Sequence, residues 1–327
     1  MSKIKTESKI RKKTLRFAGA AVCMLLCAAA VLCSCGKRRI SIDDRRAAVL
    51  HEDGTLAPLS SVEVRDSGDE LRIDAPQAFV YNADTEKIIF ERGKEKILYP
   101  ASTTKLLTAL CALEILSPEE LITPGDELEM VNEHSSIAFI KTHHTLTCEM
   151  LIEGMLLPSG NDAAYALAAA AGKRLSEGDM SGAEAVSVFV TEMNRYAKEI
   201  GMCGSNFTSP DGYFDAEHYS TVEDMAILAS SAAENDIIMK YAHLASDNVT
   251  YASGHTNTWK NTNLLLDPES KYYCPEVTGL KTGSLENNYC MICTFESRGV
   301  RYIAGVFTEI DGETRFSDMK KIVEYYR

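Results

Sequence analysis

The order of strand-like and helix-like stretches constrains the fold of this chain more than any other sequence feature. Strand-like runs lie near both ends of the globular part, at residues 77–81 and 87–91 and again at 279–282, 289–295 and 301–307. The stretch between them is dominated by helical patterns. This order predicts an α+β fold, in which an antiparallel sheet of N- and C-terminal strands packs against a helical block.

The remaining local patterns place turns and helices along the chain. Turn residues at 82–85 and 297–299 connect neighbouring strand-like runs, and residues 127–131 are predicted as a short additional strand. Helices are predicted from Ser102 onward and over residues 147–157, 161–175, 186–200, 221–233 and 319–326. Thr221 is predicted to cap the helix that it precedes.

A serine and a lysine three residues apart are the first candidate catalytic pair. Pro100 stops the preceding segment, and in the helix that follows Ser102 and Lys105 lie on one face, about one turn apart. A serine hydroxyl needs a neighbouring base to become a nucleophile. A lysine amine can be that base where burial or a second cation favours its neutral form. Alone, this spacing is more typical of a helix cap followed by a surface lysine.

Two further motifs make the catalytic interpretation the stronger one. Ser159-Gly160-Asn161 lies on a sharp bend between two predicted helices, and Lys281-Thr282-Gly283 lies in a strand-like run. The motifs S-x-x-K, S-D-N and K-T-G, in this order, are the signature of penicillin-binding proteins and class A β-lactamases, and this chain has Gly160 in the middle of the second motif. Each motif has a structural explanation, but such explanations do not account for all three together.

The motifs and their surroundings resemble D-alanyl-D-alanine carboxypeptidases of the low-molecular-mass penicillin-binding class, which are serine-type enzymes. The resemblance covers residues 76–327 and extends to further stretches: Pro100–Lys105, Leu157–Ala164, Met193–Asn194, His218–Thr221, Asn261–Leu265 and Gly279–Gly283. It implies a β-lactamase/transpeptidase-like fold. It also implies removal of the terminal D-alanine from peptidoglycan stem peptides ending in D-Ala-D-Ala, covalent inhibition by β-lactams and no cofactor.

The resemblance also assigns roles to the catalytic residues. Ser102 would form the acyl-enzyme, Lys105 would take its proton, and Ser159 would pass a proton to the leaving amine. Asn161 would hold Lys105 and the substrate amide by hydrogen bonds. A β-lactamase is disfavoured, because no Glu-x-x-Leu-Asn stretch follows Asn161.

The substrate-binding residues implied by the resemblance lie mostly in the third motif. Lys281 and Thr282 would receive the terminal carboxylate, and Lys281 would help to keep Lys105 neutral if the fold brings them together. Gly283 would let the substrate approach the strand closely, and the N–H groups of Ser102 and Ser284 would form the oxyanion hole.

Leu285 departs from the family pattern, because relatives often carry a threonine at this position. This departure supports one alternative to the carboxypeptidase, a non-catalytic sensor that binds β-lactams or muropeptides. A D,D-endopeptidase on the same scaffold is a second alternative, which the sequence leaves open.

The first 35 residues carry an export pattern: basic residues followed by the apolar run 17–32. The sequence around Cys35 resembles a lipoprotein cleavage box, which makes Cys35 a lipidation candidate. An uncleaved membrane anchor is the alternative, and residues 36–75 are predicted to be a flexible linker. We expect the protein on the outer face of the bacterial cytoplasmic membrane, attached through its N-terminus, or secreted.

Charge and cysteine content limit the other partners. Residues 1–35 hold seven of the 34 basic residues and one of the 47 acidic residues, so the formal charge changes from −13 to −19 without them. The strong negative charge of residues 36–327 argues against nucleic acid as a partner and against binding an anionic membrane through the protein's own surface.

The cysteines outside the leader are expected to be mostly buried free thiols, with one or two disulfides left open: Cys111, Cys148, Cys203, Cys274, Cys290 and Cys293. We expect no metal site. His143 and His144 are predicted to lie in an exposed loop, while His218 and Trp259 are predicted to be structural.

Overall fold

The strands near the two ends of the chain form one sheet, as predicted. In this computed structural model, which describes residues 71–176 and 179–327, the sheet has five antiparallel strands. They are β1 (Gln77–Asn82), β2 (Lys87–Arg92), β7 (Val277–Leu285), β8 (Asn288–Ser297) and β9 (Val300–Glu309). Their order across the sheet is β2-β1-β9-β8-β7. The first strand pairs directly with the last, with Phe79 opposite Gly305.

The helical block lies between these strands in sequence. The α-helices are α1 (Lys105–Ile115), α2 (Cys148–Leu156), α3 (Asn161–Leu175), α4 (Gly182–Ile200), α5 (Val222–Ala233), α6 (Asp236–Ala242) and α7 (Thr314–Tyr326). The helix α5 packs against β1 and β9, and α6 packs against β7. The C-terminal helix α7 packs against β8 and β9. Thr221 caps α5 by accepting a hydrogen bond from the backbone N–H of Asp224, as predicted.

The core under α7 shows that the packed body begins before Pro76. Leu71, Ile73 and Ala75 are buried in the same apolar cluster as Met319 and Ile322 of α7. The C-terminal helix also holds this segment through the Asp318 carboxylate, which accepts a hydrogen bond from the backbone N–H of Ala75 at 2.7 Å. The last five residues of the predicted linker 36–75 are therefore part of the body, because alternate apolar residues fix them to the core. Residues 1–70, including the predicted leader and Cys35, lie outside the described residues.

Two short ladders lie outside the main sheet. The strands β3 (Leu121–Ile122) and β4 (Leu146–Thr147) pair with each other, as do β5 (Ser246–Thr250) and β6 (Thr256–Lys260). The strand predicted at residues 127–131 is wrong, since Asp126–Met130 form a 3₁₀ helix. The reason is local: the Glu127 carboxylate accepts a hydrogen bond from the backbone N–H of Gly125 and turns the chain back. Across residues 71–176 and 179–327, none of the helices combines the length and apolar character needed to span a bilayer.

Candidate active site

Ser102 lies in a tight 3₁₀ turn between the body of the sheet and α1. This turn spans Ala101–Thr104, and the Pro100 carbonyl accepts hydrogen bonds from the backbone N–H and the hydroxyl of Thr103. Ala101 is fully buried and has a left-handed φ of +50°. The turn continues into α1, so Ser102 and Lys105 lie one turn apart, as predicted.

Lys105 is fully buried, and its ammonium nitrogen contacts three oxygen atoms. Nζ lies 2.8 Å from Ser102 Oγ, 2.7 Å from Asn161 Oδ1 and 2.9 Å from the carbonyl oxygen of Asp211. Burial lowers the pKa of Lys105 to about 8, although the charges of Asp211 and Asp162 oppose this change. A substantial fraction of Lys105 is therefore neutral near physiological pH.

The contacts of Lys105 fix where its lone pair points when the amine is neutral. A carbonyl oxygen and an amide oxygen can only accept hydrogen bonds, so the Asp211 and Asn161 oxygens take the two N–H groups. The lone pair is then left for the third neighbour, the Ser102 hydroxyl. This geometry is that of a general base in hydrogen-bond reach of a serine nucleophile.

Asp211 is a residue of this cluster that the sequence did not reveal. Its carboxylate accepts a 2.6 Å hydrogen bond from Asn161 Nδ2, which turns the Asn161 amide oxygen towards Lys105. The same carboxylate accepts from Ser209 Oγ at 2.7 Å and from the backbone N–H of Tyr213 at 3.1 Å. The sequence Ser-Pro-Asp-Gly shows a turn, but nothing in it signals that this turn lies against Lys105.

Gly212 lets the Asp211 turn approach the Ser102 turn. Its φ is +79°, and a Cβ atom added there would lie 1.9 Å from the carbonyl oxygen of Ala101. Any side chain at this position would push the two turns apart. The glycine therefore sets the distance between Asp211 and Lys105.

The second motif occupies the predicted bend between α2 and α3. Ser159 is nearly buried and has a left-handed φ of +62°, a strained conformation for a residue with a Cβ atom. The next residue, Gly160, has no room for a side chain, because a Cβ atom would lie 2.7 Å from the Ala138 methyl and 2.8 Å from the Gly154 carbonyl oxygen. Asn161 begins α3 and reaches Lys105, so the fold brings the first two motifs together.

Lys281 lies in β7 and is almost completely buried. Its Nζ donates to the carbonyl oxygen of Thr282 at 3.0 Å. Burial lowers its pKa well below the usual range, and the positive charges of Lys105 and Arg315 lower it further. At Lys105 the cause that lowers the pKa is its own burial, so the expected contribution of Lys281 to keeping Lys105 neutral stays a prediction.

Gly283 brings β7 against the Ser102 turn. A Cβ atom there would lie 2.9 Å from the Ala101 methyl, 3.0 Å from the Pro100 carbonyl oxygen and 3.2 Å from the Ser102 backbone nitrogen. The space next to Gly283 is thus occupied by the protein itself, and not by the substrate as expected. The close approach places the strand that carries Thr282 and Ser284 next to the nucleophile.

Arg315 of α7 is a second residue that the sequence did not reveal. Its Nη1 donates to the Gly283 carbonyl oxygen at 2.7 Å and to Ser284 Oγ at 2.8 Å. Thr282 Oγ1 lies 2.6 Å from Thr262 Oγ1. Arg315 is largely buried, and burial lowers its pKa. The C-terminal helix therefore contributes a third cation to this end of the site.

The histidine prediction is only half right. His143 is exposed, but His144 is buried and its ring stacks on His255 with centroids 4.5 Å apart. The partner comes from the turn between β5 and β6, more than 100 residues away, so local sequence could not show it. Burial and the neighbouring histidines and Lys141 lower the pKa of His144. Within residues 71–176 and 179–327, no cluster of three or more His, Cys, Asp or Glu side chains is arranged to hold a metal ion.

The other two residues with structural predictions, Trp259 and His218, are buried and hydrogen-bonded to neighbouring segments. Trp259 is buried and donates to the Ala138 carbonyl oxygen, and the His218 ring hydrogen-bonds to Thr104 Oγ1 at 2.9 Å. Within residues 71–176 and 179–327 none of the six cysteines forms a disulfide bond, and Cys203 is exposed while the other five are buried.

A cavity of about 290 Å³ lies elsewhere on the molecule, lined by residues that include Glu120, Glu127 and Lys173. None of its lining residues belongs to the cluster around Ser102. The candidate site is therefore identified by its chemistry and not by cavity size.

Comparison with known proteins gives one consistent family. The sequence model of the family described as D-alanyl-D-alanine carboxypeptidase matches residues 63–310. The D-alanyl-D-alanine carboxypeptidase DacF of Bacillus subtilis (strain 168) is 30% identical over 262 residues, which cover 78% of this chain and 63% of DacF. The D-alanyl-D-alanine carboxypeptidase of Streptomyces sp. (strain K15) is 31% identical over 263 residues, which cover 77% of this chain and 87% of that protein.

Solved structures agree with these relatives. The crystal structure of the Streptomyces K15 DD-transpeptidase has a TM-score of 0.69 at 28% identity, covering 78% of this chain and 97% of that one. Penicillin-binding protein D2 from Listeria monocytogenes in its ampicillin-bound form has a TM-score of 0.63 at 29% identity, covering 78% of this chain and 98% of that one. The chain thus spans less than two thirds of DacF but nearly the whole of these two structures.

Proposed function

This chain belongs to the D-alanyl-D-alanine carboxypeptidase family, and we propose that it removes the terminal D-alanine from peptidoglycan stem peptides through an acyl-enzyme on Ser102. The observation that carries the proposal is the contact set of Lys105. Two acceptors hold its N–H groups, its third neighbour is the Ser102 hydroxyl, and its pKa is lowered to about 8. A serine beside a buried, partly neutral amine is an activated nucleophile.

Acylation begins when Lys105 takes the proton of Ser102. The Ser102 oxygen then bonds to the carbonyl carbon between the two terminal D-alanines, and the peptide C–N bond breaks. Ser159 relays this proton from Lys105 to the leaving D-alanine nitrogen, and Lys105 is neutral again. Water hydrolyses the resulting serine ester and restores the free enzyme.

Cations at one end of the site select a C-terminal substrate. Lys281 and the Thr282 hydroxyl receive the carboxylate of the terminal D-alanine, and Arg315 adds positive charge through Ser284. Burial disfavours the charged forms of the Lys281 ammonium and the Arg315 guanidinium. A substrate carboxylate bound beside them supplies the negative charge that stabilises these charged forms. The requirement for a free carboxylate distinguishes a carboxypeptidase from a general peptidase.

Two backbone N–H groups stabilise the charge that develops on the scissile carbonyl. They belong to Ser102 and Ser284, and the close packing of Gly283 on the Ser102 nitrogen supports this assignment. One donor of this kind is worth about 3 kcal/mol of transition-state stabilisation. A β-lactam presents a strained amide and a carboxylate in a similar arrangement, so we propose that it acylates Ser102.

We propose that the N-terminal 35 residues export the protein and keep it at the outer face of the cytoplasmic membrane. The basic and apolar leader supports this proposal, as does the box around Cys35. Lipidation of Cys35 is expected to place the full chain in the membrane fraction and to add a labelled fatty acid. Cys35→Ser should abolish the label, with Cys203→Ser as the control. Label that survives in Cys35→Ser would contradict this assignment.

The central test combines covalent labelling with product release. The full chain should be stably labelled by a fluorescent penicillin and should release D-alanine from a peptide ending in D-Ala-D-Ala. Ser102→Ala should lose both activities, whereas Ser117→Ala, which alters an exposed serine just after α1, should keep them.

The outcomes separate the proposed function from its alternatives. Labelling without D-alanine release would favour an endopeptidase or a sensor. If an added amine acceptor captured most of the acyl group, the chain would act like its transpeptidase neighbour. A folded protein that is not labelled would overturn the assignment of Ser102.

A further inference from the structure

Phe139 stands out because both its backbone and its side chain are unfavourable for folding. The side chain is 63% exposed, and the residue has a left-handed φ of +62°. A bulky residue in this conformation is strained, and an exposed aromatic ring gains little from burial. Such strain persists where the surrounding structure enforces it, often at functional sites.

The carboxylate of Asp162 enforces the conformation of Phe139. One oxygen accepts a hydrogen bond from the backbone N–H of Ala138 and the other from that of Ile140, both at 2.8 Å. These two residues flank Phe139 and are themselves buried. The Ala138 carbonyl oxygen is held as well, by Trp259 Nε1 and Asn257 Nδ2, each at 3.0 Å. Both neighbours of Phe139 are thus fixed, and its side chain is left in solvent.

The clamped turn lies directly against the second catalytic motif. The backbone N–H of Asn161 donates to the Ser136 carbonyl oxygen at 2.8 Å. The Ala138 methyl fills the space that a side chain on Gly160 would need. Asp162, which holds the turn, follows Asn161 in sequence. Phe139 therefore directly follows Ala138, which packs against Gly160 of the second motif, between Ser159 and Asn161.

We propose that Phe139 is a specificity-determining residue whose exposed ring contacts the aliphatic side chain of the residue preceding the two terminal D-alanines. This inference rests on the proposed function and names a binding contact for the same site. The substrate carboxylate occupies the Lys281 end, so the acyl part of the peptide extends towards the wall formed by the second motif. A rigid aromatic ring offers apolar area to an alkyl chain with little loss of conformational freedom.

Asp162 is the positioning residue in this arrangement. It contacts the backbone on both sides of Phe139 and keeps the ring exposed before substrate arrives. A preorganised contact does not have to be ordered during binding, which favours affinity.

The test compares two peptides that differ only in that preceding residue. One carries an acetylated lysine before D-Ala-D-Ala, and the other carries glycine. For Phe139→Ala in the full chain, we expect kcat/KM to fall about tenfold with the lysine peptide and less than about twofold with the glycine peptide. Phe139→Tyr should retain the wild-type preference. Tyr273→Ala should have no effect, because Tyr273 is an exposed aromatic residue outside the site.

A parallel measurement separates failure of this inference from failure of the proposed function. Acylation rates are measured with benzylpenicillin, which has an aromatic acyl side chain, and with 6-aminopenicillanic acid, which has none. Phe139→Ala should slow the first reaction about fivefold more than the second. Equal losses with both members of each pair, or no loss, would overturn the role of Phe139. Absence of D-alanine release by the wild type, with the penicillin difference intact, would refute the carboxypeptidase and leave the Phe139 contact supported.

Discussion

Replacing Asp211 by asparagine should lower the pH at which Ser102 becomes reactive. Lys105 takes the Ser102 proton only when its amine is neutral, so acylation should rise with pH and level off above about 8, the pKa of Lys105. The Asp211 charge raises this pKa and thus favours the inactive, protonated amine. Removing the charge shifts the rise in rate to lower pH.

The size of the shift follows from the position of the carboxylate. Asp211 is separated from the Lys105 nitrogen by one side-chain amide, that of Asn161. At an effective dielectric constant of about 20, a unit charge at this separation is worth about 2 kcal/mol, or rather more than one pKa unit. We therefore expect the midpoint to move from about 8 to about 7 or below. The limiting rate should fall at the same time, because an asparagine amide cannot accept all the hydrogen bonds that the carboxylate accepts.

Acylation of the full chain by a fluorescent penicillin, followed from pH 5.5 to 9.5, measures both effects. In the wild type, the rate at two pH units below the midpoint should be about 1% of the plateau. Asp215→Asn is the matched control, since it removes an equal charge from the same loop where it is exposed and does not contact Asn161. A wild-type rate independent of pH would refute the base role of Lys105, whereas equal midpoints in Asp211→Asn and wild type would refute the effect of the Asp211 charge on the pKa of Lys105. An equal shift in both variants would show that net charge, and not the Asp211 contact, is responsible.

Two further predictions concern stability. Gly212→Ala should lower the free energy of unfolding by more than about 3 kcal/mol, because its Cβ atom would overlap the Ala101 carbonyl oxygen, whereas Gly254→Ala, at a similar φ of +84° with open space, should cost only about 1 kcal/mol. If chemical denaturation gave equal losses of unfolding free energy for the two variants, the positive φ, and not the steric overlap, would be the cause of the destabilisation. Burial, and next the charge of Asp318, raise the pKa of Glu309 to about 8, so the native state binds a proton that the unfolded state releases. The free energy of unfolding should therefore fall as pH rises from about 4.5 to about 8, and Glu309→Gln should flatten this slope while the exposed control Glu296→Gln should not. A slope unchanged in Glu309→Gln would contradict this account.

The predicted sheet strands illustrate what local sequence can reveal. The runs that became β1, β2, β7, β8 and β9 were predictable because apolar and β-branched residues recur within each of them. The β5–β6 hairpin was not, since its residues are mostly polar and exposed and lack that pattern. The short helix α6 was also missed, although Asn235 caps it by accepting from two backbone N–H groups. Cap residues are common in turns, so this signal alone is weak.

The boundary of the body shows a second limit. Residues 71–75 alternate between buried and exposed positions, but the segment is too short for a pattern to stand out from the polar stretch before it. Its partner is α7, at the opposite end of the chain. Only the contact with α7 shows that this segment is part of the core.

The sequence by itself determined which chemical groups are available: a serine and a lysine one helical turn apart, a serine and asparagine at a bend, and a lysine and threonine on a strand. These follow from short-range periodicity and spacing, which depend on neighbouring residues alone. The tertiary structure decided the rest. It placed Asp211 against Asn161, 50 residues away, and against Lys105, 106 residues away, and it brought Arg315 from the last helix to β7. It also buried Lys105, and burial is what lowers the pKa of its amine. Desolvation and contacts between distant residues arise only when the whole chain packs, so residue types and spacings cannot specify them.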